Sequence, residues 1–186
     1  MGLDMYLYKK HYVKNWDHNT DRKFEIVVKL NGENHTAIDT SKISYIQEDV
    51  GYWRKANQIH DWFVKNCQNG EDNCQESYVD QSKLEELLQI CKDIKANCKL
   101  VEGKVANGYT FDENGEKKYD YIDGLVMENE EYAADLLPTA EGFFFGSTGY
   151  DQYYLQDIDN TIEILEKELS TDWGIHTPEY YYRASW

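Results

Sequence analysis

Residues 155–169 place Leu155, Ile158, Ile162, Leu165 and Leu169 at steps of three and four, the spacing of one helix face. Asp151 stands just ahead of them as a cap, so a helix is expected over about 152–169. The opening residues follow the other period. In LDMYLYK (3–9), Leu3, Met5 and Leu7 face one way and Asp4, Tyr6 and Tyr8 the other, which describes a strand buried on one side. A chain carrying both periods has to bury a sheet face against helix stripes. The fold class that follows is α+β, in a single domain spanning 1–186.

The intervening residues fill in this outline. FEIVVKL (24–30) reads as a strand, Asn31-Gly32 as a hairpin turn and HTAID (35–39) as the returning strand. KISYIQEDV (42–50) is a further strand, punctuated by Gly51. A helix follows over about 51–66, with Tyr52, Ala56, Ile59 and Phe63 on one stripe and Trp53, Asn57, His60 and Val64 on the next. Arg54, Gln58 and Asp61 fall on its wetter face. Ser82 with Glu85 forms a capping box for a second amphipathic helix through Leu84, Leu87, Leu88, Cys91, Ile94 and Cys98. The glycine-rich acidic stretch 101–127, with turns at Asn107-Gly108 and Asn114-Gly115, predicts a β-hairpin insertion. A short helix over 130–137 stops at Pro138. Three phenylalanines bounded by glycines at 142–146 read as a short strand buried on both faces. The expected architecture is a small antiparallel sheet, built from the N-terminal strands and the 143–146 strand, packed by three main helices. The aromatic tail WGIHTPEYYYRASW is expected to fold back on the body or to meet a second chain, giving a homo-oligomer.

Charge narrows the partners. The 186 residues hold 35 acidic and 19 basic side chains, a formal net charge of −16 that repels nucleic-acid phosphates and attracts a basic protein. No run approaches the roughly 20 apolar residues of a membrane span. The N-terminus lacks the basic-then-apolar order of a signal peptide, so a cytoplasmic location is expected. Cys67, Cys74, Cys91 and Cys98 are spaced too widely for a zinc knuckle, and His18, His35, His60 and His176 show no ligand spacing; no metal or cofactor is implied.

Two stretches collect groups able to hold a ligand. At the start of the predicted helix, Arg54 and Lys55 offer cations for phosphate, Trp53 a ring to stack, and Asn57 and His60 polar edges. After the phenylalanines, the Ser147 and Thr148 hydroxyls lie between glycines, followed by Tyr150 and Asp151. Phe143 and Phe145 could wall a base. Together these residues suit a nucleotide-like small molecule. The plainer alternative is that the rings pack a core. His60, Asp151 and Ser147 have the residue types of a hydrolytic triad, but no GxSxG elbow surrounds Ser147. GSTG lacks both the lysine and the frame of a P-loop. No catalytic residue is assigned.

Three motifs, MGLDMYLYKKHYV, GYWRKANQIHDWFV and LLPTAEGFFFGSTGYDQYYLQDI, resemble a family of small proteins encoded by phages, prophages and mobile elements of gut bacteria. The resemblance runs over nearly the whole chain and implies a role inside a bacterial host cell, where such proteins often antagonise immunity. Two routes fit. The first is sequestration of a nucleotide-derived immune signal by the two stretches above. The second is an anti-CRISPR action, in which the acidic surface around 112–135 occupies the basic nucleic-acid channel of an effector nuclease. A hydrolase acting on a nucleotide is a third reading.

Overall fold

The computed structural model describes residues 2–18, 23–174 and 176–186. Met1, in the opening motif, and Ile175, in the aromatic tail, lie outside the described residues. The main sheet has four antiparallel strands in the order β4-β1-β8-β5. These are β1 (Asp4–Tyr12), β4 (Tyr45–Arg54), β5 (Ser77–Val79) and β8 (Glu179–Ser185). The helices are α1 (Asn57–Cys67), α2 (Gln81–Asn97), α3 (Glu130–Leu136) and α4 (Gln152–Leu169). The fold is thus α+β, as the two periods require. The aromatic tail supplies a central strand: β8 runs between β1 and β5 and buries Tyr180, Tyr182 and Ala184 beneath the sheet.

The core lies between one sheet face and the helices. Met5, Leu7, Trp53, Val79 and Tyr182 meet Ile59 and Phe63 of α1, Leu84, Leu87 and Cys91 of α2, and Ile158 and Leu165 of α4. The α4 cap is the expected one, since Asp151 Oδ1 accepts from the backbone N–H groups of Tyr153 and Tyr154. For α2 the cap is Asp80, which accepts from Ser82 N at 2.9 Å. The Ser82 hydroxyl donates to Asp80, so no Ser82–Glu85 capping box forms.

Several expected elements differ, each for a physical reason. Residues 24–30 and 35–39 do not ladder. Only Lys29–Leu30 (β2) and Glu33–Asn34 (β3) pair, around the Asn31-Gly32 turn. Phe24 instead exchanges two hydrogen bonds of 2.8 Å with the Asn15 side-chain amide, which takes the place of a neighbouring strand. Gly51 does not stop β4. A Cβ there would come within 2.7 Å of Ile164, so the glycine lets α4 press on the strand. Tyr52, Trp53 and Arg54 therefore belong to β4, opposite Tyr6, Met5 and Asp4, and the helix begins only at Asn57. Lys55, at φ 61°, makes the break between them. The 142–146 segment forms no strand. Phe144 sits at φ 67° and Gly146 at φ 100°, which turns the chain and buries only the last of the three rings.

Outside this body, β6 (Lys99–Phe111) and β7 (Lys117–Glu128) form a long two-stranded hairpin. Its root is held by Met127 N donating to Tyr150 O at 2.9 Å and by a Val126–Asp151 bridge.

Candidate functional site

The start of α1 and the loop after the phenylalanines do meet. Asn57 Nδ2 donates to Ser147 O at 2.8 Å and Phe145 O at 3.2 Å, and its Oδ1 accepts from Ala140 N at 2.9 Å. Gly146 lies against Lys55, where a Cβ would approach the Lys55 carbonyl oxygen to 3.0 Å. The meeting is a lock between chain segments, with the amide of Asn57 fully employed.

The buried members of the expected ligand set, His60 and Trp53 among them, are spent in the same way, whereas Ser147 and Thr148 are exposed. His60 is 1% exposed, with Nδ1 2.8 Å from the Tyr182 hydroxyl and Nε2 3.0 Å from Asp72 Oδ2. Asp72 can only accept, so Nε2 carries a proton. Burial holds the Tyr182 hydroxyl protonated, and it shares a hydrogen bond with Nδ1. Trp186 Nε1 donates to the other Asp72 oxygen at 3.0 Å, and Phe145 stands edge-on to His60. Trp53 is core, its indole donating to Thr161 Oγ1 at 2.9 Å, and has no face free to stack a base. Ser147 Oγ accepts from Gly149 N, and Thr148 O accepts from Thr139 Oγ1. Tyr150 OH accepts from Thr139 N. Asp151 caps α4. These partners also rule out a His60–Asp151–Ser147 triad.

Arg54, Lys55 and Phe143 are exposed, Phe143 by 82%. Arg54 reaches toward Asp4, 4.0 Å away, on the outer face of the sheet, whereas His60 lies beneath the inner face. Cation and imidazole are therefore on opposite sides. A cleft of about 660 Å³ is lined by Asn97, Val126, Met127, Asn129 and the 130–132 turn, and a smaller one of about 230 Å³ lies between α1, α2 and Pro138. Neither is lined by any of these expected ligand residues. Burial raises the Cys67 thiol to about 11 and Cys91 to about 12, so neither is a ready nucleophile. Among the described residues no group of three or more His, Cys, Asp or Glu side chains could hold a metal, and no helix is long and apolar enough to cross a membrane.

The exposed chemistry lies on the hairpin. From Gly103 to Phe111, β6 runs about 27 Å at the usual strand rise. Nearly every residue between 103 and 124 is open to solvent. Tyr109 faces Tyr119 across the ladder, with Phe111 and Tyr121 on the same face. Their rings touch in sequence, with Tyr109–Phe111 centroids at 5.5 Å, Tyr109–Tyr119 at 6.0 Å and Tyr119–Tyr121 at 6.5 Å. Tyr121 is 60% exposed and Phe111 63%. Behind the rings, Gly103 pairs with Gly124, and the space lets Val126 and Val105 fold over the backbone. The tip is acidic: Asp112 Oδ1 ties the turn through Asn114 N and Glu116 N, with Glu113 beside it. The sequence predicts this hairpin, but its rings are not among the expected ligand residues. The signal was present in the period-two aromatics 109/111 and 119/121 on either side of Asn114-Gly115.

A scan against protein-family models, a search of curated proteins and a search of solved structures each return no match to this chain.

Proposed function

We propose that the protein is a binding antagonist whose β6–β7 arm enters a basic groove of a second protein. One observation carries this reading: the Tyr109, Phe111, Tyr119 and Tyr121 patch stands on an arm whose far half packs against nothing else among the described residues. A two-stranded hairpin is marginal in water on its own, and contiguous exposed rings of this kind mark interaction sites. Between 101 and 127 carboxylates outnumber lysines six to three, so the arm carries the sign of the whole molecule to its tip. A groove that ordinarily holds a polyanion offers both cations for the tip and a wall for the rings. In the phage or prophage setting implied by the resemblance, that partner is a host defence nuclease, and the arm takes the place of its nucleic acid.

Sequestration of a nucleotide draws no support from the arrangement of Asn57 and His60, because Asn57 is bonded to the Phe145 and Ser147 carbonyls and Ala140 N, and His60 to Tyr182 and Asp72. The test is capture from defended host cells by the wild-type chain and by a Phe111→Ser/Tyr121→Ser variant of verified fold. The expected result is a basic nucleic-acid-binding protein that added DNA or RNA displaces and that the variant retains at least tenfold less. Equal retention by both proteins, or competition by nucleotides alone, contradicts the reading.

A further inference from the structure

We propose that the open face of the four-stranded sheet is a second docking surface, built for an arginine-bearing segment of a partner protein. The helices cover only one side of this sheet. Trp53, Lys9 and Tyr182 reach α4 and α1 on that side through Thr161, Glu168 and His60. Strand alternation sends the next residues the other way. Tyr6 and Tyr52 face each other across β1 and β4, and Tyr12 faces Tyr45 at the far end. Tyr8 faces Tyr181 on β8, which in turn faces Tyr78 on β5. The rings form three touching groups: Tyr6–Tyr52 at 5.3 Å, Tyr12–Tyr45 at 5.1 Å, and Tyr8–Tyr181–Tyr78 with successive centroids 5.9 Å apart. Most of these rings are about half exposed, Tyr78 by 56%.

Hydroxyl groups fix the rings in place. Tyr8 donates to Glu76, Tyr52 to Asp4 and Tyr181 to Glu179. The phenol of Tyr52 is held above its ordinary pKa by the Asp4 bond, and that of Tyr181 is raised to about 12 by burial and then by Glu179. Rings tied in this way lose little freedom on binding, which is how tyrosine-rich recognition surfaces gain affinity.

One side chain of the protein already shows what this face holds. Lys10 Nζ sits 4.1 Å from the Tyr181 ring centroid, 5.5 Å from that of Tyr8, and 2.8 Å from Glu76 Oε1. Ring faces and a carboxylate together seat a cation. A planar guanidinium suits the remaining rings better than an ammonium does, because it stacks flat and reaches a carboxylate with two donors. Asp49, opposite Tyr8, borders the open rings, while Asp4 is already shared by Tyr52 and Arg54 and Arg183 stands opposite Tyr6. The −16 charge steers a cationic segment toward the face and disfavours both nucleic acid and a second copy of the chain.

The test titrates the full-length protein with a Gly-Arg repeat peptide and with Lys and Glu counterparts of equal length. Tyrosine ring resonances and calorimetry serve as the readouts. The arginine peptide is expected to shift Tyr6, Tyr52 and Tyr78 and to bind several-fold more tightly than the lysine peptide. A Tyr52→Ser/Tyr78→Ser variant should lose at least tenfold in affinity, while the arm variant Tyr121→Ser binds as the wild type does. Ring shifts confined to the arm, or affinity unchanged in the double variant, overturn the proposal. So does a concentration-dependent dimer that Tyr78→Arg abolishes, which would make a second copy the occupant.

Discussion

Lys9 Nζ lies 3.0 Å from both carboxylate oxygens of Glu168, beneath the sheet, where both side chains are almost fully buried. The pair joins β1 to the last turn of α4 across 159 positions of sequence. Tyr180 OH donates to the same carboxylate at 3.0 Å, and the Trp173 ring lies 4.2 Å from the ammonium. Removing Glu168 leaves the buried ammonium only the half-exposed Glu48 carboxylate, 3.8 Å away. Glu168→Ala should therefore destabilise the fold by about 3 kcal/mol in urea unfolding. Replacing both, as Lys9→Met/Glu168→Leu, should cost much less than the single change.

Asp157 gives the clearest pH dependence. It is half-buried on α4 and accepts from Gln58 Nε2 at 3.0 Å. Burial raises its pKa from 3.8 to about 6, against the opposing Gln58 bond. A carboxyl group with a raised native pKa binds its proton more tightly when folded. Its ionisation therefore costs stability as pH climbs from about 3.8 to about 6, and the cost is complete above that window. Asp157→Asn keeps an acceptor for Gln58 and should stabilise the protein at pH 7 by about 1–2 kcal/mol. At pH 3.5 the two proteins should unfold alike in urea.

The His60 network yields a stability prediction of a different kind. Tyr182→Phe keeps the ring stacked on Phe63, whose centroid is 4.0 Å away, and removes only the hydrogen-bond partner of His60 Nδ1. An unsatisfied buried imidazole nitrogen should cost about 1–3 kcal/mol, read as a lower urea midpoint. Function measured below the new midpoint should be unchanged, because the network ties α1, the 72 loop and β8 to one another.

The helices and the first strand were legible because their signals are local. Asp151 and the 155–169 stripe define α4 within a few turns, and the alternation of residues 3–9 defines β1. What was misread depends on distant partners. Tyr52–Arg54 extends β4 because β1 lies alongside, some fifty residues earlier in the chain, and nothing near Gly51 reveals that Ile164 presses there. Phe143 and Phe144 read as core by composition, whereas positive φ at Phe144 and Gly146 turns the first two rings outward. The expected ligand groups were recognised as neighbours, and Asn57 does meet the 146–149 loop. The bonds that employ Asn57 run to backbone groups some ninety residues away, which no local pattern reveals.

The arm should separate stability from function. Tyr109, Phe111, Tyr119 and Tyr121 bury little against the body, so Phe111→Ser/Tyr121→Ser should leave the free energy of urea unfolding within about 0.5 kcal/mol of wild type. The same change should abolish protection of a phage on a defended host.

Native mass spectrometry of the protein purified at low salt from a defended host tests the central claim most directly. A complex with one basic protein, dissociating as salt rises and absent for the Phe111→Ser/Tyr121→Ser variant, is the expected spectrum. A nucleotide-sized adduct held one-to-one by wild type and variant alike would contradict the account.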